Sequence, residues 1–479
     1  MSGWHHEKVR ARWLVGVVAG ATLAIAAAPA SGQGLVNWPS YLHDATHTSM
    51  STATAVTTTS AAGLHAAWKF LPDPATMHGQ PGAGFEASPV VVNGIVYIGA
   101  TTGELYALNE TTGKVVWKVF TGFQPRITCM ARGIASTATV ARDPTTRRQT
   151  VYLTPADGNL WAIDARTGSV RWKVVVNTPS TTTSDYYAWA SPTVAGGRVF
   201  VGSASSCDTP LIRGSLQSFS QANGAHLATY YVVPPGAVGG SIWTTPAVSG
   251  QSIWVTTGNA DETGTQPGAS NSFVRLNAAT LAAQDRWTIP GITGVDDDIG
   301  ASPTLFTATI GGVSTPMVGA CDKNGLFYAL KADDLAAGPV WTLRVGNPAN
   351  SGLDMCLAAA AWDASDGGLF HASNSTTVGA TAFPASVRRL DPASGAPRWQ
   401  VGLGTGPVLG TASLDGSNVI AAVTYSTAKG TTSSLYLINA ANGTILRTIA
   451  LDSHAFSEPA FADRYLLVAT GRSLTAWAP

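Results

Sequence analysis

Short runs in which apolar and polar residues alternate recur along the chain, separated by glycine-containing turns. The clearest, Val90-Val91-Val92-Asn93-Gly94-Ile95-Val96-Tyr97-Ile98-Gly99, reads as two strands joined by an Asn-Gly turn. A second piece follows it: Gly103-Glu104-Leu105-Tyr106-Ala107-Leu108, a Thr112-Gly113 turn, and a last strand through Trp117. Together they predict a four-stranded antiparallel meander. The second piece returns as Gly158 to Ile163 with Thr167-Gly168 and Trp172, and weaker copies end at Phe219, Leu276, Leu330, Leu390, Ile438 and Trp477. Cognates of the first piece begin at Ala190-Ser191-Pro192, Thr245-Pro246, Ser302-Pro303 and Glu458-Pro459. Helical periodicity is almost absent. Repeats about fifty residues apart are one supersecondary unit each. A four-stranded sheet cannot bury both faces alone, whereas stacking such sheets in a ring covers them and protects their edges. The pattern therefore predicts an all-β fold, an eight-bladed β-propeller of four-stranded antiparallel blades.

The last copy ends almost at the C-terminus, with no room for its fourth strand. Conversely, Leu64-His65-Ala66-Ala67-Trp68-Lys69-Phe70 resembles a fourth strand with no blade before it. The two ends are expected to complete one blade together, closing the ring. Trp117, Trp172, Trp287, Trp341 and Trp399 occupy one repeat position, which marks them as packing between adjacent blades rather than as ligand platforms.

Before the repeats, Lys8, Arg10 and Arg12 precede an apolar run from Leu14 to Ala28 and the triplet Ala28-Pro29-Ala30. This is the layout of an export signal with cleavage after Ala30, and Ala11 between the two arginines does not fit a twin-arginine route. The expected organisation is a signal peptide over 1–30, an N-terminal strap over 31–62 and the propeller over 63–479. A secreted, periplasmic or extracellular location follows, with no membrane span. Charged residues make up 12%, 28 basic against 28 acidic, which removes any electrostatic reason to expect nucleic acid as a partner. Cys129, Cys207, Cys321 and Cys356 show neither zinc nor haem-attachment spacing. An oxidising compartment suits two disulfides, with three pairings open.

In a repeat protein, function is sought where copies deviate. The deviations are Gly84-Phe85-Glu86, Cys129-Met130-Ala131-Arg132-Gly133, Ser203 to Gly214, Gly239-Gly240-Ser241-Ile242-Trp243, Thr257-Gly258-Asn259, Asp296-Asp297-Asp298 and Cys321-Asp322-Lys323-Asn324-Gly325. All fall before an inner strand or after a second strand, positions that open on one face of the ring. Asp208, Asn259 and an aspartate at 297 or 298 are oxygen donors suited to a hard cation such as calcium, and a neighbouring aspartate suits a general base. Each has a plain alternative as a solvated turn, a surface charge or a salt-bridge partner.

These segments resemble the quinoprotein alcohol dehydrogenases, eight-bladed propellers that hold pyrroloquinoline quinone and calcium at the axis. Glu86-Ala87-Ser88-Pro89 resembles the family's Glu-x-x-Pro start, which implies that Glu86 contacts the quinone. Arg132-Gly133 is similar to the segment whose arginine holds the cofactor's polar edge, and Trp243 after Gly-Gly looks like the floor beneath the planar ring. Thr257-Gly258-Asn259 resembles the element whose asparagine ligates calcium. Asp208 lies near the ligating glutamate's position, one methylene shorter. Asp297 or Asp298 is similar to the catalytic aspartate, which also faces the metal, and Lys323 to the cation that hydrogen-bonds the reactive carbonyl.

The resemblance implies oxidation of a small-molecule or polymeric alcohol, with electrons leaving to an external acceptor. Two features depart from it. The family's adjacent cysteine pair is missing, Cys129 standing alone near that place, and Cys356-Leu357-Ala358-Ala359-Ala360 lacks an obvious polar cofactor contact. They favour an alternative, a non-catalytic propeller scaffold that binds protein or polymer. A carbohydrate-binding or cell-surface module is a third reading.

Overall fold

The fold was analysed in a computed structural model, which describes Met1 and residues 35–73, 83–124, 133–179, 185–260, 267–291, 298–347, 355–427 and 432–479. The expected export signal, and with it Arg132, Asp297 and Cys129, lies outside the described residues. Eight antiparallel sheets follow one another along the chain. In the first, Val90–Val92, Ile95–Gly99, Glu104–Asn109 and Val115–Phe120 form the predicted meander. The eighth sheet joins Ala460–Ala462, Tyr465–Ala469 and Leu474–Ala478 to His65–Phe70 from the other end of the chain. His65 pairs with Ala478 and Phe70 with Leu474, so the ring closes through non-covalent strand pairing, as the sequence predicts. No helix among the described residues is long and apolar enough to cross a membrane.

The repeated Trp and Thr-Gly turn are one device seen from two blades. The indole N–H groups of Trp117 and Trp399 donate to the carbonyls of Ala165 and Ala440 in the following blade, each at 3.0 Å. Trp68 of the closing strand does the same to Glu110 at 2.7 Å. Each ring lies against the turn glycine of that next blade. A Cβ at Gly443 would stand 2.7 Å from Trp399, and Gly443 has φ +75°, so both space and backbone demand glycine there.

Near the axis a second seam device appears. At six of the eight inner-strand entries the backbone N–H donates to the hydroxyl at the equivalent position of the next blade. Ser88 donates to Thr137, Thr137 to Ser191, Ser191 to Thr245 and Thr245 to Ser302, at 2.9–3.1 Å. Ala359 donates to Thr411, and Glu458 returns to Ser88, both at 2.9 Å. Ala359 has no hydroxyl to offer to Ser302, nor Glu458 one to offer to Thr411, so this relay stops between the fifth and sixth blades and again between the seventh and eighth; the Tyr41 hydroxyl bonds both Ser302 and Thr411 there.

The segment before the closing strand runs around the inner strands. Val36 donates to Asp463 of blade eight, and Trp38 pairs with Val91 of blade one. Pro39, Ala45, Thr46 and Thr48 accept from Val140, Val248, Leu305 and Trp362 of blades two, four, five and six. Ser49 and Ser51 bond Leu414 of blade seven. Its Leu42 N–H donates to the buried Glu458 carboxylate at 2.8 Å.

Candidate functional site

Three of the irregular segments converge. Asp298, just before the inner strand Thr304–Ile310 of blade five, is 3% exposed. Its two oxygens are shared between neighbours: Lys323 Nζ lies 2.7 Å from Oδ1, and Trp243 Nε1 donates to Oδ2 at 2.9 Å. Lys323 follows the second strand of the same blade, Val313–Cys321, and its backbone N–H donates to the Asp298 carbonyl at 3.0 Å. Its ammonium also stands 5.1 Å from the centre of the Trp243 ring. Trp243, before the inner strand of blade four, is half-buried. Gly300 packs on its edge, where a Cβ would come within 3.0 Å of the indole and would also meet Leu357.

Beside this triad lies a second pair. Asn259 Nδ2 donates to Asp208 Oδ2 at 2.6 Å, and Ser205 donates to the other Asp208 oxygen. Cys207 and Asp208 both have φ +54°, a left-handed turn that brings the carboxylate back over Ser205. The Asn259 amide oxygen is buried and has no hydrogen-bond donor among the described residues. Turning the amide over would set that oxygen against a carboxylate, a repulsion that a cation between them relieves. The two groups therefore fit a hard-cation site, with oxygen donors only. Pair and triad are joined through Gly258, whose N–H donates to Ser241 O at 2.7 Å and whose Cβ, if present, would lie 2.9 Å from Asp298 Oδ2.

Glu86 enters from blade one. Burial pushes its carboxyl up to about 7. Its charge is felt by Tyr187 and Tyr425, phenols raised chiefly by burial and further by Glu86. Tyr187 is a pocket residue that the repeat reading missed. It belongs to a two-residue strand, Tyr186–Tyr187, that pairs with Ser205 and Ala204. Its ring lies 4.5 Å from that of Trp189, and its hydroxyl is buried with no partner among the described residues. The aromatic run Tyr186-Tyr187-Ala188-Trp189, absent from the other copies, was the signal available.

The cysteine pairing left open by the sequence is Cys321–Cys356, and Cys207 is also disulfide-bonded. Cys321, Cys356 and His371 lie together, but with both sulfurs in the bridge they do not constitute a thiolate metal site.

Residues 38–344 match the profile of the glucose/ethanol/alcohol dehydrogenase β-propeller domain. The chain belongs to that family. Residues 384–478 match a second profile, that of the outer membrane protein assembly factor BamB. Among characterised proteins, quinohemoprotein alcohol dehydrogenase ADH-IIG of Pseudomonas putida is 30% identical over 151 residues, 32% of this chain and 20% of that protein. The chain spans about a sixth to two-fifths of the length of the curated relatives it matches. Among solved structures, quinohemoprotein alcohol dehydrogenase from Comamonas testosteroni superposes with a TM-score of 0.74 at 17% identity, covering 92% of this chain and 80% of that one. A europium-containing methanol dehydrogenase gives a TM-score of 0.74 at 14% identity, over 93% and 98%. At these identities the structural likeness speaks for the fold.

Proposed function

We propose that this family member is a quinoprotein dehydrogenase that oxidises an alcohol to a carbonyl compound with pyrroloquinoline quinone and a metal ion, calcium by the donor set, at the axial pocket. The observation that carries the reading is the Trp243–Asp298–Lys323 triad beside the Asp208–Asn259 pair, which offers a flat aromatic face, a carboxylate, a cation and a hard-oxygen donor set in one mouth. When bound, the quinone supplies a two-electron acceptor that takes a hydride from the alcohol carbon. Asp298 is the base that accepts the hydroxyl proton, with Asp297 as the neighbouring candidate, and the Trp243 N–H fixes how its carboxylate is turned. Lys323 offers its ammonium to the acceptor's carbonyl edge, and Trp243 provides the floor. Asp208 and Asn259, with Asp298 facing them, are the residues that would hold the metal, and Glu86 and Arg132 the ones that would hold the cofactor's polar groups. Substrates in this reading are small or polymeric alcohols, and electrons pass to a separate acceptor outside the cytoplasm after export.

The BamB-like profile over 384–478 favours one other reading, a cofactor-free scaffold that binds protein or polymer. Titration of the protein with pyrroloquinoline quinone and calcium decides between them. Saturable binding with dye-linked alcohol oxidation, lost in Trp243→Ala and Lys323→Ala, is the expected result. Failure to bind quinone at saturating calcium or lanthanide would refute the enzyme reading.

A further inference from the structure

The disulfide crosses one of the two seams at which the hydroxyl relay stops. Between blades five and six, where Ala359 offers the Ser302 N–H no hydroxyl, the Cys321–Cys356 bridge crosses. Both of its ends lead directly to the pocket. Cys321 is the last residue of its strand, is fully buried, and precedes Asp322-Lys323. Its carbonyl accepts from Ala301, on the segment that carries Asp298 and Gly300. On the other side, Cys356 precedes Leu357, which lies against Gly300, which in turn abuts the Trp243 edge.

Lys323 itself is the tip of a tight turn. Asp322 accepts from Asn324 and Gly325, and Asn324 from Leu326. Those bonds shape the turn. The backbone bond to Asp298, the ion pair and the covalent bridge immediately before the turn tie it to the pocket. We infer that the Cys321–Cys356 disulfide is the positioning element of the pocket: it ties blade five to blade six where the hydroxyl relay is interrupted, holding Lys323 against Asp298 and Leu357 against Gly300. The inference rests on the functional reading for what Lys323 does there, but not for where it sits.

A plain cross-link would give stability to the whole ring, whereas a positioning element acts on one lysine. The experiment is amine acetylation of the quinone-free protein, followed residue by residue by mass spectrometry. Lys331, on the next strand of the same blade, and Lys173, in blade two, serve as references. In Cys321→Ala/Cys356→Ala, labelling of Lys323 is expected to rise roughly tenfold while Lys331 and Lys173 keep their parental rates, as for local rather than global opening. Adding Ala359→Ser, which returns an acceptor to Ser302, is expected to restore most of the protection. If the double variant does not fold, the folded parent is reduced with a water-soluble phosphine and labelled in the same way. Unchanged protection of Lys323, or an equal rise at all three lysines, overturns the proposal. Because the labelling needs no quinone, failure of the parent to bind the cofactor refutes the enzyme reading alone.

Discussion

Replacing Lys323 by Met removes the ammonium that stands 2.7 Å from Asp298 while keeping the length of the side chain. What remains is a carboxylate that is 3% exposed and holds one side-chain donor among the described residues, the Trp243 N–H. Breaking a buried pair by removing one partner costs about 3–5 kcal/mol. The retained indole donor puts this case at the low end, about 3 kcal/mol. Asp298→Asn leaves the ammonium its remaining contacts, the Trp243 face among them, and about 2 kcal/mol is expected. The double variant removes both charges of the pair and should lose only about 2 kcal/mol in total, so the coupling is about 3 kcal/mol. Over the Leu35–Pro479 body the unfolding entropy is roughly 0.9 kcal/mol per kelvin, and the single variants should lower Tm by about 3 and 2 °C. Scanning calorimetry at constant pH without added quinone or metal reads these shifts. A double variant about 2 °C below the parent fits the buried pair; one about 5 °C below, the sum of the singles, would show that the two groups do not interact and refute the triad.

Glu458 is fully buried and its carboxyl is pushed up to about 8, mainly by burial. Being raised above its unfolded value of 4.5, it contributes stability that is full below pH 4.5 and is lost as pH rises towards 8. Glu458→Gln should flatten that decline, and melting curves from pH 5 to 9 check it. Gly443→Ala combines an unfavourable backbone with a methyl 2.7 Å from Trp399, so a loss of about 2–3 kcal/mol is expected. Gly311→Ala, at φ +56° with nothing within 4 Å of its Cβ, should show the backbone part only, a difference visible in parallel melts. Calcium at about a hundred times its Kd should raise the parental Tm by about 3 °C, and Asn259→Ala should abolish the rise in a melt with and without chelator.

The sequence made the ring legible because its seam residues repeat: the Trp, the turn glycine and the Ser/Thr-Pro entry recur at one spacing, and periodicity exposes them. The axial relay was half visible, since those entries read as small-residue pairs, while the bonding from one blade to the next needs three dimensions. A strap over 31–62 is expected from the sequence, but its course around the inner strands was not legible. Most of its bonds use backbone carbonyls, which any residue supplies, so no side-chain pattern announces the path. Within the pocket, Trp243, Asp298, Lys323, Asp208 and Asn259 stood out as breaks in the repeat and do come together. The turn that carries Asp208, through two left-handed residues, has no periodic pattern to announce it. Tyr187 escaped notice because its two-residue strand is too short to carry an alternating pattern. The disulfide partner of Cys321 lay beyond sequence reasoning, since loop length alone does not choose among three pairings.

The strap also works as a ruler. Between Val36 and Ser51 its main-chain bonds along the inner strands reach blades eight, one, two, four, five, six and seven in that order, one circuit in about sixteen residues, with Leu42 reaching back to Glu458 of blade eight on the way. Propellers change size by gaining or losing whole repeats, and their seams, being alike, do little to forbid it. Here an added blade would widen the circumference while the gauge stayed the same length, leaving inner strands without their backbone partner. A lost blade would leave strap carbonyls with nothing to accept from. The size of the ring is therefore gauged twice in this chain: by its eight repeats, and by a short segment without any repeat that bonds seven of the eight blades.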